Sequence, residues 1–183
     1  MMTKQNLRSE APAIDSREKT SGESFVMTRV IKAPRELLFK VCTEREHLAH
    51  WWGPKGFALD IAKFEPRPGG TFVFKMSAAN GMEMWGKWII REMKAPERLV
   101  FVSSFSDPDG GTTRHPMAPE WPLETLSTWT FEDLGGKTKL TIKGETISAS
   151  DVEQKTFEDG FESMKGGNTG MLDNLEEYLK TVS

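Results

Sequence analysis

The sequence predicts one α+β domain in which a curved antiparallel sheet of about six to seven strands wraps a long C-terminal helix. Three observations carry the prediction. Apolar and polar residues alternate in segment after segment through the middle of the chain, as half-buried strands require. The turns Asn80-Gly81 and Gly135-Gly136 join successive segments as hairpins. From Asp151 to Thr181 the period becomes helical, with Phe157, Phe161, Met164, Asn168, Met171, Leu172, Leu175 and Leu179 on one side.

The elements follow in order. Residues 1–22 carry mixed charge, no aromatic residue and no periodicity, and read as a disordered or loosely attached tail before a domain over 23–183. Phe25 to Ile31 is a β-rich run that ends at Ala33-Pro34, where proline suits the first turn of a helix. Leu37, Leu38 and Val41 recur at helical spacing. Thr43 with Glu46 three residues on has the form of a capping box and predicts a second short helix over 44–50, which Gly53-Pro54 must end. Strands are expected at Phe57–Phe64, Thr71–Met76, Met84–Lys94 and Leu99–Phe105, then at Leu126–Phe131 and Lys139–Ile147. Residues 107–122 hold four prolines and form a loop of the length that often serves as a lid.

Composition narrows the function. The 183 residues are 37% hydrophobic and 28% charged, enough for a real core. A net charge of −3, with basic residues interleaved with acidic ones, argues against nucleic acid as the partner. No apolar run reaches the roughly 18 residues of a membrane span, and no hydrophobic signal core follows the first charges, so a cytoplasmic protein is expected. Cys42 is the single cysteine, which rules out an intramolecular disulfide. Six Trp, eleven Phe and ten Met against one Tyr suggest a roomy interior, because aromatics supply surface and Met adapts to irregular shapes.

The patterns that carry chemistry elsewhere are weak here. His47 and His50 have a spacing two ligands of one metal can use, but no third ligand stands near, so no metal site is expected. Gly135-Gly136-Lys137-Thr138 imitates the end of a phosphate loop, yet Phe131 stands where its first glycine belongs and the segment joins two strands. No catalytic residue and no cofactor are therefore assigned. Glu83 and Arg91 are expected to face solvent, Cys42 to fill core, and His115 to lie in the lid, where it would offer a titrating group at a cavity mouth. Gly160, Gly166, Gly167 and Gly170 each cost about 1 kcal/mol of helix propensity, which predicts a kink or a close approach to the sheet.

Several ordered motifs resemble one known family. Ala33-Pro34-Arg35-Glu36-Leu37-Leu38-Phe39, followed by Glu46-His47-Leu48 and Trp51-Trp52-Gly53-Pro54, is similar to the opening of the Activator-of-Hsp90-ATPase homologue-like proteins. Arg67-Pro68-Gly69-Gly70-Thr71-Phe72, Pro96-Glu97-Arg98-Leu99-Val100-Phe101, Thr128-Trp129-Thr130-Phe131-Glu132 and Leu172-Asp173-Asn174-Leu175 are similar to its later landmarks in the same order. The resemblance spans residues 25–181 and implies the helix-grip fold of the START-like, Bet v 1-like (SRPBCC) superfamily. One departure stands out: the family commonly has Gly-Trp where this chain has Gly167-Asn168, which implies a locally larger cavity with an amide in it.

The resemblance implies an apolar cavity between sheet and last helix, and strand parity with helix periodicity assigns its lining. The sheet is expected to contribute Phe72, Phe74, Met76, Met84, Trp88, Phe101 and Trp129; the helix Phe161, Met164 and Asn168; and the mouth Trp52, while at least one of Trp51 and Trp52 plugs the core. A one-residue slip would exchange these for Val73, Trp85 and Val100. The leading expectation is a module that binds a small apolar or amphipathic molecule, as monomer or homodimer. The alternatives are a co-chaperone-like partner of an Hsp90-type ATPase, with Trp85 and Ile89 outward on an exposed patch, and a cyclase- or hydrolase-like enzyme needing an inward ionisable group.

Overall fold

In the computed structural model, which describes residues 20–182, the alternating segments do pair into one antiparallel sheet. The strands are β1 (Thr20–Ile31), β2 (Phe57–Phe64), β3 (Thr71–Ala78), β4 (Glu83–Lys94), β5 (Arg98–Ser106), β6 (Thr112–Thr113), β7 (Thr125–Asp133) and β8 (Thr138–Ile147). The helices are α1 (Arg35–Thr43), α2 (Arg45–Trp51), α3 (Asp151–Asp159) and α4 (Phe161–Val182). The sheet runs β1-β8-β7-β5-β4-β3-β2, with the two-residue β6 pairing on β5 beside that path. First and last strands are neighbours, so the chain closes on itself before the C-terminal helices lie across the concave face. Bulges between Ser21 and Phe25, Ile61 and Lys63, and Ile90 and Glu92 bend the strands into that curve. No helix among the described residues is long and apolar enough to cross a membrane.

The core fills the space under α4. Met171, Leu172, Leu175 and Leu179 enter it from the helix, and Phe72, Trp88, Phe101, Trp129, Phe131 and Leu140 from the sheet. Trp88 stacks on Phe101 with ring centroids 3.9 Å apart. Trp51 is 2% exposed, and its indole N–H donates to the Val41 carbonyl at 3.0 Å, so a large apolar side chain is buried without an orphaned donor. Across the sheet, Val100, Val102, Leu126 and Ile147 form a second buried cluster that Ile89 packs against. The Asp107–Gly111 turn lies over Val73 and Lys87 on that outer side, where the Lys87 ammonium donates to the Gly110 carbonyl at 2.9 Å.

Five details differ from the sequence reading. Strand β1 begins at Thr20, so residues 20–22 belong to the sheet; the rest of the expected tail lies outside the described residues. Thr43 does not cap α2. It ends α1, its hydroxyl donating back to the Phe39 carbonyl at 2.7 Å, and the extended residue Glu44 between the helices is the N-cap of α2. The true capping box is Ser150 with Glu153, whose carboxylate accepts from the Ser150 N–H at 2.9 Å. Arg91 is half-buried at the β4 bulge. The expected single helix over 151–181 is two, broken at Gly160, where a Cβ would stand 3.0 Å from the Trp121 ring.

The other helix glycines have a different explanation from close packing. A Cβ on Gly166, Gly167 or Gly170 would meet nothing within 4 Å. Gly166→Ala and Gly170→Ala should therefore each raise stability in chemical denaturation, by up to about 1 kcal/mol, because only helix propensity and unfolded-chain entropy change. A loss of stability in either would show that the backbone there meets a neighbour.

Candidate functional site

A cavity of about 500 Å³ opens between the concave face of the sheet and α4. Its position follows from three local constraints. The first is the end of α2: Gly53 takes φ 107°, open to glycine alone at little cost, and its carbonyl accepts from the Asn174 amide of α4 at 3.4 Å. That turn throws Trp52 out of the helix and over the sheet. The second is Gly86 on β4, which pairs with Phe74 across the strands; a Cβ there would lie 2.8 Å from the Phe74 ring. The missing side chain lets Phe74 lie flat, and the cavity runs past it to Trp85. The third is α4, which presents Met164, Asn168 and Met171 and, at Gly167, no side chain at all.

Behind this chamber lies a recess of about 100 Å³, lined by Phe25, Trp88, Phe101, Trp129, Ile142 and Phe157 among others. Trp52, Ser103, Thr125, Met164 and Asn168 border both spaces. The Asn168 side chain spends one N–H on its own helix, donating to the Met164 carbonyl at 2.9 Å. Trp52 and Trp88 meet edge to face at 4.7 Å, and neither indole N–H has a hydrogen-bond partner. Among the described residues, no Asp, Glu, Lys, Arg, His, Cys or Tyr lines either space.

The expected lining residues divide into three groups. Trp52, Phe74, Met76, Met164 and Asn168 border the outer chamber. Trp88, Phe101 and Trp129 border only the inner recess. Phe72, Met84 and Phe161 border neither. Phe72 is fully buried behind the wall among Phe64, Phe74 and Trp88, Met84 is half-buried at the start of β4, and Phe161 turns to Phe25 and Phe157 at 5.8 and 5.3 Å. Sequence reasoning missed Trp85, Phe105, Trp121 and Pro122. The last two close the 107–122 segment already marked as a lid, so that signal was present.

The lid is fastened to the helices. Trp121 packs on Phe157 with centroids 5.6 Å apart and fits the notch at Gly160. Arg114 bonds the Glu153 carboxylate and donates to the Trp121 carbonyl at 3.3 Å. His115 does not border the cavity: its Nδ1 accepts from the N–H groups of Met117 and Ala118 at 3.0 and 3.1 Å, its ring packs on Phe105, and burial lowers its pKa, favouring the neutral ring. His47 and His50 are both taken up by Tyr178, the first at 2.7 Å from its hydroxyl and the second stacked on its ring. Burial pushes the Cys42 thiol up, away from reactive thiolate.

Sheet, gripped helix and cavity together define a helix-grip protein of the START-like, Bet v 1-like superfamily. The family model for Activator of Hsp90 ATPase homolog 1-like protein matches residues 32–180, and the chain belongs to that family. Its fold is similar to that of a protein from Arthrobacter aurescens, at TM-score 0.71 and 23% identity over 89% of this chain and 91% of that one. A Rhodobacter sphaeroides protein matches at TM-score 0.70 and 18% identity, over 91% and 99% of the two chains. The AHSA1 protein from Silicibacter pomeroyi matches at TM-score 0.64 and 18% identity, over 88% and 100%. No curated protein matches the sequence.

The lid tether is testable by its titration. Hydrogen bonds from the Ser150 N–H, then from Arg114, hold the Glu153 carboxyl below the usual carboxylate range. Its folded pKa is thus the lower one, so its stabilisation is present at neutral pH and is lost as pH falls through the folded value. Arg114→Ala should speed amide exchange in residues 115–122 at neutral pH while changing global stability by less than about 1 kcal/mol. Acidification should loosen the same segment in the parent protein. Unchanged exchange in Arg114→Ala would show that Trp121 alone fastens the lid.

Proposed function

We propose that this protein is a binding module that holds a small, mostly apolar molecule between its sheet and its C-terminal helix. The observation that carries the reading is the outer chamber of about 500 Å³, walled by Trp52, Phe74, Met76, Trp85, Phe105 and Met164. That volume is in the range of small-molecule sites, and apolar walls with a few neutral polar groups are their usual composition. The walls keep the space open because the rings are braced from behind. Trp52 meets Phe74, Trp88 and Trp129 at 6.1, 4.7 and 5.9 Å, so it cannot swing inward without breaking those contacts.

Two other readings find less support. General acid–base catalysis needs an ionisable side chain at the reacting centre, and the residues lining the cavity offer none. A co-chaperone role, taken from the family description, needs an exposed apolar patch on the outer sheet face. Val26 and Val30 are exposed on β1, but Trp85 borders the cavity and Ile89 packs on a buried cluster.

Native against denaturing mass spectrometry of freshly purified protein tests the binding reading. A small molecule that leaves on denaturation is expected, with a lower bound fraction in Met164→Trp and Asn168→Trp, where an indole fills the chamber. A chain that is empty as purified and retains nothing from a panel of neutral apolar compounds would overturn it.

A further inference from the structure

The two spaces meet at a polar neck. Ser103 of β5 and Thr125 of β7 are cross-strand partners, and both border outer chamber and inner recess together with Asn168 of α4. Their two hydroxyls make no hydrogen bond to another described residue, and Asn168 uses one N–H within its own helix. The neck therefore offers unspent donors and acceptors, all of them uncharged. Outward of it stand Phe74, Met76, Trp85, Phe105 and Trp121; inward stand Phe25, Trp88, Phe101, Trp129, Ile142 and Phe157.

Chemistry and size then restrict what fits. An ion placed here would give up water and find no opposite charge, a cost several times that of burying a neutral polar group. A ketone, amide or hydroxyl would instead find partners at the neck. The inner recess of about 100 Å³ is smaller than the roughly 150 Å³ of an engineered cavity that takes benzene, so it suits a short alkyl group and not a ring. Resting on the binding-module reading, we infer that the cavity selects an uncharged ligand whose single hydrogen-bonding group sits at Ser103, Thr125 and Asn168. The ligand's bulky apolar body fills the outer chamber and a small alkyl end enters the recess.

Three fluorescent probes of one skeleton test this. Prodan is a neutral dimethylamino-naphthalene bearing an ethyl ketone; its partners are the same naphthalene without the ketone and with a carboxylate in its place. Prodan should bind at least about tenfold more tightly than the carboxylate at neutral pH. In Asn168→Leu and in Ser103→Ala, prodan affinity should fall toward that of the bare naphthalene. The bare naphthalene should lose far less affinity than prodan in these variants, so the difference between the two probes reads the polar anchor apart from any change in the cavity walls. A carboxylate that binds as tightly as prodan would overturn charge exclusion. Variants that leave prodan unaffected, or weaken all three probes equally, would overturn the polar anchor. Failure of every probe, including the bare naphthalene, would count against the binding module itself.

Discussion

Two adjacent tryptophans at the end of α2 do opposite work, and the rest of the domain is arranged around that division. Trp51, still helical, drives its ring into the core and gives its N–H to the Val41 carbonyl. Trp52 has left the helix for extended backbone at φ −65°, ψ 135°, so its ring stands nearly perpendicular to that of Trp51, at 81°. Without the helix end that Gly53-Pro54 imposes, both rings would follow helical geometry and point about 100° apart around one axis. Only the break lets one indole close the core while the next becomes the wall of a cavity. Asn174 then holds the break against α4, so the wall and the gripped helix share one hydrogen-bonded joint.

A cavity in a folded protein is costly, because its walls lose dispersion contacts on one side. Here the cost is contained by placing the large rings in mutual contact behind the opening, from Phe64 through Phe72 and Trp88 to Phe101. The opposite wall is softer. It consists of α4, whose glycines leave gaps, and of thioethers from Met164 and Met171 that accommodate different shapes at little strain. For the proposed ligand, a stiff aromatic wall facing an adaptable helical one would fix where it lies without fixing its full outline.

The fold was legible because its signals are local. Alternation marked the strands of the sheet, turn residues marked their ends, and family motifs fixed their order. Phe74 and Met76, which parity assigned to the cavity face, border the outer chamber. Parity failed at the rim for a reason that it cannot express: Gly86 removes the side chain that would divide the faces, so Trp85 of the opposite parity reaches the cavity. Phe161, the first residue of α4, is in phase with Met164 but its ring is taken up by Phe25 and Phe157 instead of the cavity. Val73 and Val100 show the same limit from the other side. Both are buried on the outer face, so β3 and β5 carry apolar residues on both sides and alternation alone does not rank the faces. Asn168 was legible from helix periodicity and as a departure from a familiar motif; its place at the neck between two spaces depends on strands far away in sequence.

The break at Gly160 joins features that the sequence keeps apart. Removing a Cβ there makes the notch for Trp121, which fastens the lid, and ends α3 just beyond Phe157. Phe157 is 1% exposed; it borders the inner recess on one side and packs on Trp121 on the other. The inner recess and the lid are thus separated by a single ring in contact with both. A ligand of the proposed kind in the recess would press on a residue that the 107–122 segment also packs against. Such contact couples the two only as far as the ring has alternative positions, and its T-shaped packing on Phe161 at 5.3 Å limits these. If the segment acts as a lid, its release would fall to its outer fastening by Arg114 and Glu153, the part that water and protons can reach.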